Sequence, residues 1–223
     1  MKKPLLFLAA AACLVTGCAS RSYRVDFHAL PGTYSIVEVT HTLTTEGGAR
    51  RLRANTLSLS YHEDASGNRF ADRYNLHLED GQGNILDQDT NPDPHYLTGL
   101  YTKTAPILPS DVLRVGDSWT GTDTLDADPR LPVTTSFTLL KVQNGVLYVR
   151  SDAEIDLKEA PIPGSHHPGL LTLKGRQRGI WEVDARTGAV LDAHSSLRAT
   201  GVLKMGEKSV PLHLDSTCSV IRS

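Results

Sequence analysis

The chain has 223 residues, 23 Lys and Arg against 25 Asp and Glu, a formal net charge of −2 and 39% hydrophobic residues. That length suits one domain with a sizeable core, and would divide into two only if each were small. Basic residues nowhere run longer than a pair such as Arg50-Arg51, which argues against a phosphate-binding surface and against nucleic acid as a partner.

The chain opens on Met1-Lys2-Lys3, a positive start, followed by an apolar run from Leu5 to Val15. This is the layout of a secretory signal, and the run is too short for a hydrocarbon core that needs roughly 17 to 25 residues. The run ends on Val15-Thr16-Gly17-Cys18, an aliphatic residue, a small residue, Gly and Cys. This end resembles the lipobox of bacterial lipoproteins. The resemblance implies a diacylglycerol on the Cys18 thiol, cleavage just before Cys18 and acylation of the freed amine. Each acyl chain would contribute on the order of 10 kcal/mol at about 0.8 kcal/mol per buried CH₂, enough for permanent attachment when two or three are present. Ala19 rather than Asp follows the Cys, which in the familiar Gram-negative sorting rule favours the outer membrane, the periplasmic face being the expected side. The alternative, a plain secreted protein cut near Ala12, would leave Cys18 a free thiol.

Removal of residues 1–17 leaves 206 residues with 21 basic and 25 acidic side chains. Cys13 leaves with the signal and Cys18 carries lipid, so Cys218 has no internal partner for a disulfide. Residues 18–30 lack periodicity and read as a tether, and residues 31–223 read as a single β-rich domain.

From Pro31-Gly32 onward the dominant signal is period two with β-branched residues, the pattern of strands with one buried face. Thr33 to Thr45 places Val37, Val39 and Leu43 on one side. Leu57, Leu59 and Tyr61 alternate with polar neighbours, and Phe70, Tyr74, Leu76 and Leu78 line up against Arg73, Asn75, His77 and Glu79. Turn residues separate these runs at Glu46-Gly47-Gly48, Ala65 to Asn68 and Asp80 to Asn84. An irregular middle follows, with short helical turns expected near His95 to Tyr101 and Pro109 to Leu113. Alternation resumes with Val133, Thr135, Phe137 and Leu139. It continues through Asn144-Gly145 to Leu147, Val149, Ala153, Ile155 and Leu157, and ends on Val210, Leu212, Leu214, Cys218 and Val220. Cys218 thus reads as a small buried hydrophobe.

Nine or ten strands without a long amphipathic helix predict a mainly β fold. The expected form is a single antiparallel meander forming a strongly curved sheet or half-barrel, or a two-layer sandwich, with at most short helices. A transmembrane barrel is excluded by Arg73, His77, Glu79, Arg150 and Glu154 on the outward faces, where lipid would reject charge.

Both tryptophans lie in short motifs, Val115-Gly-Asp-Ser-Trp119 and Gly179-Ile-Trp181-Glu-Val-Asp-Ala-Arg-Thr-Gly188. Together they resemble segments of a loose group of uncharacterised β-rich bacterial envelope lipoproteins, over about Ile107 to Asp192. That resemblance carries no catalytic residues. Trp119 and Trp181 read as core anchors, with ligand stacking as the competing role. Asp87, Asp89, Asn91 and Asp93 have the alternate spacing of a calcium loop. Pro92 and Thr98, however, stand where the sharp-turn Gly and the bidentate carboxylate would be, so a solvated loop and no metal is the expectation. His166-His167 lacks a third ligand by spacing. No cofactor is expected.

The function expected is that of a non-enzymatic binding or interaction module, held at the outer membrane by its lipid, with an apolar ligand or another envelope protein as partner. An envelope hydrolase built around His95, His166 or His167 is the alternative.

Overall fold

The computed structural model describes residues 22–25, 31–91, 108–109, 112–125, 131–161 and 169–223. Twelve strands lie among them: β1 (Ser22–Tyr23), β2 (Gly32–Glu46), β3 (Ala49–Glu63), β4 (Arg69–Asp80), β5 (Ile85–Asp89), β6 (Leu113–Arg114), β7 (Ser118–Leu125), β8 (Leu131–Gln143), β9 (Val146–Pro161), β10 (Gly169–Asp184), β11 (Val190–Met205) and β12 (Lys208–Arg222). No helix occurs among the described residues; Leu113 opens a strand, and the other expected helical turn lies outside them.

Ten strands form one antiparallel sheet in the order β5-β4-β3-β2-β12-β11-β10-β9-β8-β7, and β1 pairs with β6 in a small separate ribbon. Two meanders are therefore joined where the last strand meets β2, from Leu212 opposite Thr44 to Arg222 opposite Tyr34. The sheet does not close into a barrel. Its two edges, β5 and β7, both come from the middle of the chain.

Tight turns fix the register of the hairpins. Asn144 and Gly145 have φ of 52° and 78°, the paired positive values that a type I′ turn demands and that favour Asn-Gly. At the loops after β3 and β4, Asp64 and Asp80 each accept two backbone N–H bonds and one from the Asn four residues on, at 2.8–2.9 Å. Those bonds hold both carboxyls below the usual range, the Asn68 and Asn84 side chains contributing most.

Residues directly opposite in a ladder share a face, so the register defines an inner face bearing Leu59, Ile36, Val220, Ala193, Trp181, Val149 and Leu139 in one row. Leu59, Leu139, Leu147, Val149 and Val183 are fully buried there. One face of a single sheet buries side chains completely only when something lies over it. The cover comes from the sheet's own curl and from Val25, Leu108 and Leu113 around the β1–β6 ribbon, which belong to the same apolar cluster. Part of the stretch that reads as a tether is thus drawn into the fold, through Ser22–Tyr23 in the ribbon and Val25 in the core.

Two strands bury a different side from the one their pattern suggests. In β2 the core takes Tyr34 and Ile36, whereas Val37 is 42% exposed and, with Val39 and Leu43, occupies the outer face. In β4 a bulge opposite Ser60 and Tyr61 slips the ladder by one residue, so Tyr74, Leu76 and Leu78 face inward while Phe70 turns outward and stacks on His62 at 5.1 Å.

Candidate functional site

The main core fills only one end of the inner face. Moving along the strands from that end, the next rows are polar or small except for Leu57 and Leu197: Leu57, Glu38, Cys218, Ser195, Gly179 and Ser151, then Asn55, Thr40, Ser216, Leu197, Gln177 and Ala153. Within this belt the Ser216 hydroxyl accepts from Thr40 Oγ1 at 2.8 Å and donates to Glu38 Oε1 at 3.4 Å. Cys218 faces inward, partly buried, against the core.

Beyond the belt the two halves of the sheet differ. On β9 to β12 the inner face becomes apolar again, with Ile155, Leu173, Ala199 and Leu212 buried and Leu157, Leu171, Leu197, Leu203 and Leu214 half-buried around them. On β2 and β3 the same rows continue as Thr42 and Thr44 beside Arg53 and Arg51. Where the halves meet there is a groove of about 410 Å³. Leu203, Met205 and Val210 of β11 and β12 line one side, Thr42, Thr44, Glu46, Arg51, Arg53 and Asn55 of β2 and β3 the other, with Leu78 of β4 flanking Asn55. At about 3.3 Å per residue, Val210 lies some 33 Å along β12 from the core residue Val220. The volume falls within the range of about 300–1,000 Å³ typical of small-molecule sites.

Two further depressions lie mainly on the outer face. The one of about 660 Å³ runs over β8 to β10 and is spanned by the forked Asp152–Arg176 pair, at 2.6 and 2.5 Å. The Arg176 hydrogen bond is the main reason that the Asp152 carboxyl lies below its usual range, so this charge is already satisfied within the protein. The one of about 360 Å³ runs past His41, Leu43, Arg198 and His213.

The tryptophan motifs serve the core end. Trp181 is buried and donates from Nε1 to Ser151 Oγ at 3.1 Å. Gly179, two residues earlier on the same face, leaves room for that oxygen: a Cβ at Gly179 would sit 2.7 Å from Ser151 Oγ. Asp184 then caps the turn, its Oδ1 accepting from Arg186 N, Thr187 N and Thr187 Oγ1. Partial burial would raise its carboxyl, but these bonds outweigh burial and hold it below the usual range. In the other motif, Gly116 N donates to Leu139 O and Leu139 N to Asp117 O, while Asp117 Oδ2 accepts from Arg114 N at 2.7 Å. Half-buried Trp119 then stacks on Phe137 at 5.8 Å.

None of the other described sequence candidates is among the groove-lining residues, although Asp87 pairs with Leu78 across the ladder. Asp87 and Asp89 are exposed on the edge strand β5, where Asp89 Oδ1 accepts from Asn91 N at 2.8 Å; Asp93 lies outside the described residues. No group of three or more His, Cys, Asp or Glu able to hold a metal occurs among the described residues. Cys18, His95, His166 and His167 also lie outside them. The five described histidines, His41, His62, His77, His194 and His213, all take outer-face positions in the register. The groove itself went unnoticed in the sequence. Its signal is a face that changes character within a strand: Tyr34 and Ile36 give way to Glu38, Thr40, Thr42 and Thr44, and Arg51, Arg53 and Asn55 give way to Leu57, Leu59 and Tyr61.

No curated protein matches the chain. Among solved structures the chain is similar to one described as "Lipid-protein interactions in lipovitellin", with 11% sequence identity and a TM-score of 0.45. The match covers 87% of this chain and 25% of that one, so the chain spans about a quarter of the length of that structure. Residues 90–190, which hold both tryptophan motifs, match the model of a protein family of unknown function, DUF6263.

Proposed function

We propose that the chain is a lipid-anchored binding module of the bacterial cell envelope that holds an apolar ligand against its concave face and carries out no chemistry on it. The observation that carries this reading is the division of the inner face: the core fills one end, and past the polar belt an apolar floor adjoins a groove of about 410 Å³. A sheet built only for stability would gain by closing over that floor, since half-buried leucines forgo part of the roughly 25 cal/mol per Å² that full burial provides. The groove lining of aliphatic side chains, hydroxyls and guanidinium groups is suited to recognition.

The anchor in this reading is Cys18, supported by the charged start, the apolar run and the lipobox-like end of the first eighteen residues. Ala19 supports the outer membrane, with the domain on the periplasmic side. Intact mass spectrometry of the detergent-extracted full-length protein, under denaturing and then native conditions, tests both halves. A chain starting at lipid-modified Cys18 and retaining an extra lipid-sized mass in the native spectrum is the expected result. Lipidated Cys18 with nothing retained on repeated extraction would shift the function to a protein partner, and an unmodified chain cut elsewhere would remove the anchor.

A further inference from the structure

We infer that the ligand of the concave groove is an anionic amphiphile, one alkyl or acyl chain ending in a carboxylate or phosphate, with its head group between Arg51 and Arg53. This inference rests on the reading that the concave face binds an apolar ligand, and it specifies the ligand's class.

Three observations carry it. Arg51 and Arg53 stand two residues apart on β3, so their side chains leave the same face about 7 Å apart. Both are exposed and line the groove, and among the described residues neither guanidinium lies within 4.0 Å of a carboxylate. One nearby carboxylate on the same face is engaged elsewhere. Asp80, directly opposite Arg53 in the ladder, is held by Gln82 N, Asn84 N and Asn84 Nδ2 in its own turn. Glu46 is the acidic side chain in the groove lining and faces two cations there; Asp87 and Asp89 lie beyond β4. In a chain whose formal charge is −2, a doubly basic mouth is a local reversal of sign.

The third observation is the asymmetry of the lining. Across β2 from the arginines stand Leu203, Met205 and Val210, and the rows behind them continue through Leu171, Leu173 and Leu212, while Leu78 flanks Asn55 on β4. A wholly apolar ligand would leave the two guanidinium groups without a counter-charge. A wholly polar ligand would leave Leu203 and Met205 uncovered. A molecule with an anionic head and a hydrocarbon tail satisfies both sides, because guanidinium groups pair with carboxylate or phosphate oxygens by charge-assisted hydrogen bonds while the floor takes the chain.

The test is calorimetric titration of the purified full chain at low ionic strength with four probes of equal chain length, each below its micelle-forming concentration. The probes are dodecanoate, dodecyl phosphate, dodecanol and dodecyltrimethylammonium. At least one anion should bind about tenfold or more tighter than the alcohol, with the cation weakest and added salt eroding the difference. Whichever anion binds tighter identifies the head group as carboxylate or phosphate. The Arg51→Gln/Arg53→Gln double variant should lose about tenfold for the anions and leave the alcohol unchanged, whereas Leu203→Ser should weaken all four. The arginines are exposed, so the double variant should keep the parent's urea midpoint, which checks that it is folded. Equal binding of anion and alcohol with no effect of the arginine variant would overturn the anionic head group while leaving apolar binding intact. Failure of every probe to bind would overturn both.

Discussion

Gly179→Ala is the substitution that most directly tests how the second tryptophan motif works. By propensity the change should be mildly favourable, because replacing Gly within a strand removes unfolded-state freedom and is worth about 0.4–1 kcal/mol. The surroundings reverse the sign. The new Cβ would lie 2.7 Å from Ser151 Oγ and 3.1 Å from both His194 O and Ser195 Cβ, and ordinary contacts begin about half an ångström further out. Ser151 is buried, and its oxygen is the acceptor for Trp181 Nε1 at 3.1 Å, so moving it aside leaves a buried indole N–H without a partner. That costs about 1–3 kcal/mol, giving a net loss of about 0–2.6 kcal/mol, centred on ~1.3, once the entropic gain is subtracted. For a domain of this size, at about 2–4 °C per kcal/mol, the central value lowers the melting temperature by about 3–5 °C. The decisive measurement is a double-mutant cycle in urea. Ser151→Ala removes the obstructing oxygen but not the 3.1 Å contacts with His194 O and Ser195 Cβ, so Gly179→Ala in that background should cost less by about 1 kcal/mol or more. If Gly179→Ala costs the same with and without Ser151, or stabilises the parent, the coupled role of Gly179, Ser151 and Trp181 is refuted.

Acid should weaken the fold in a defined window. Asp184 and Asp152 both lie below their usual carboxylate range in the folded chain. The unfolded state therefore takes up protons first, and the stability these groups contribute is complete above about pH 4 and lost as pH falls through the folded values. The urea midpoint should be flat from neutral pH to about 5 and drop below 4; Asp184→Asn, which keeps the acceptor but cannot titrate, should make that drop shallower, and an unchanged drop would dismiss the Asp184 contribution. Gly201 allows an equally close approach of β10 and β11, since a Cβ there would collide with Thr172 O and crowd Leu173 Cα at 3.0 Å. Gly201→Val should lower the urea midpoint by an amount equivalent to about 1–3 kcal/mol, and a midpoint at or above the parent's would show that the sheet relaxes freely at that point.

Much of this protein was legible in its sequence because its strands obey local rules. A side-chain period of two marks the buried faces of β3, β8, β9 and β12, through Leu57 and Leu59, Phe137 and Leu139, Leu147 and Val149, and Val210, Leu212 and Val220. Asn144-Gly145 fixes a hairpin because few other residues tolerate two successive positive φ values. These signals depend on neighbours along the chain or directly across one turn, and they were enough for the fold class and most of the hairpins.

Tertiary structure decided what depends on partners far apart in sequence. β2 carries aliphatic residues at Val37, Val39 and Leu43 and aromatic or aliphatic ones at Tyr34 and Ile36, and alternation cannot choose between the two faces; pairing with Leu59 and Val220 selects Tyr34 and Ile36. Phe70 leaves the core because a bulge inserts one residue between two ladders that each look regular. The joining of β2 to β12, and the opening of the sheet between β5 and β7, follow from a pairing nearly the whole chain apart, which no local pattern encodes. The groove has the same origin: Arg51, Arg53, Thr42, Leu203 and Met205 converge only because β3, β2, β12 and β11 lie side by side. The sequence alone determined which residues alternate and where the chain turns. Only long-range strand pairing determined which face is inside, and which polar and apolar residues share one concave surface.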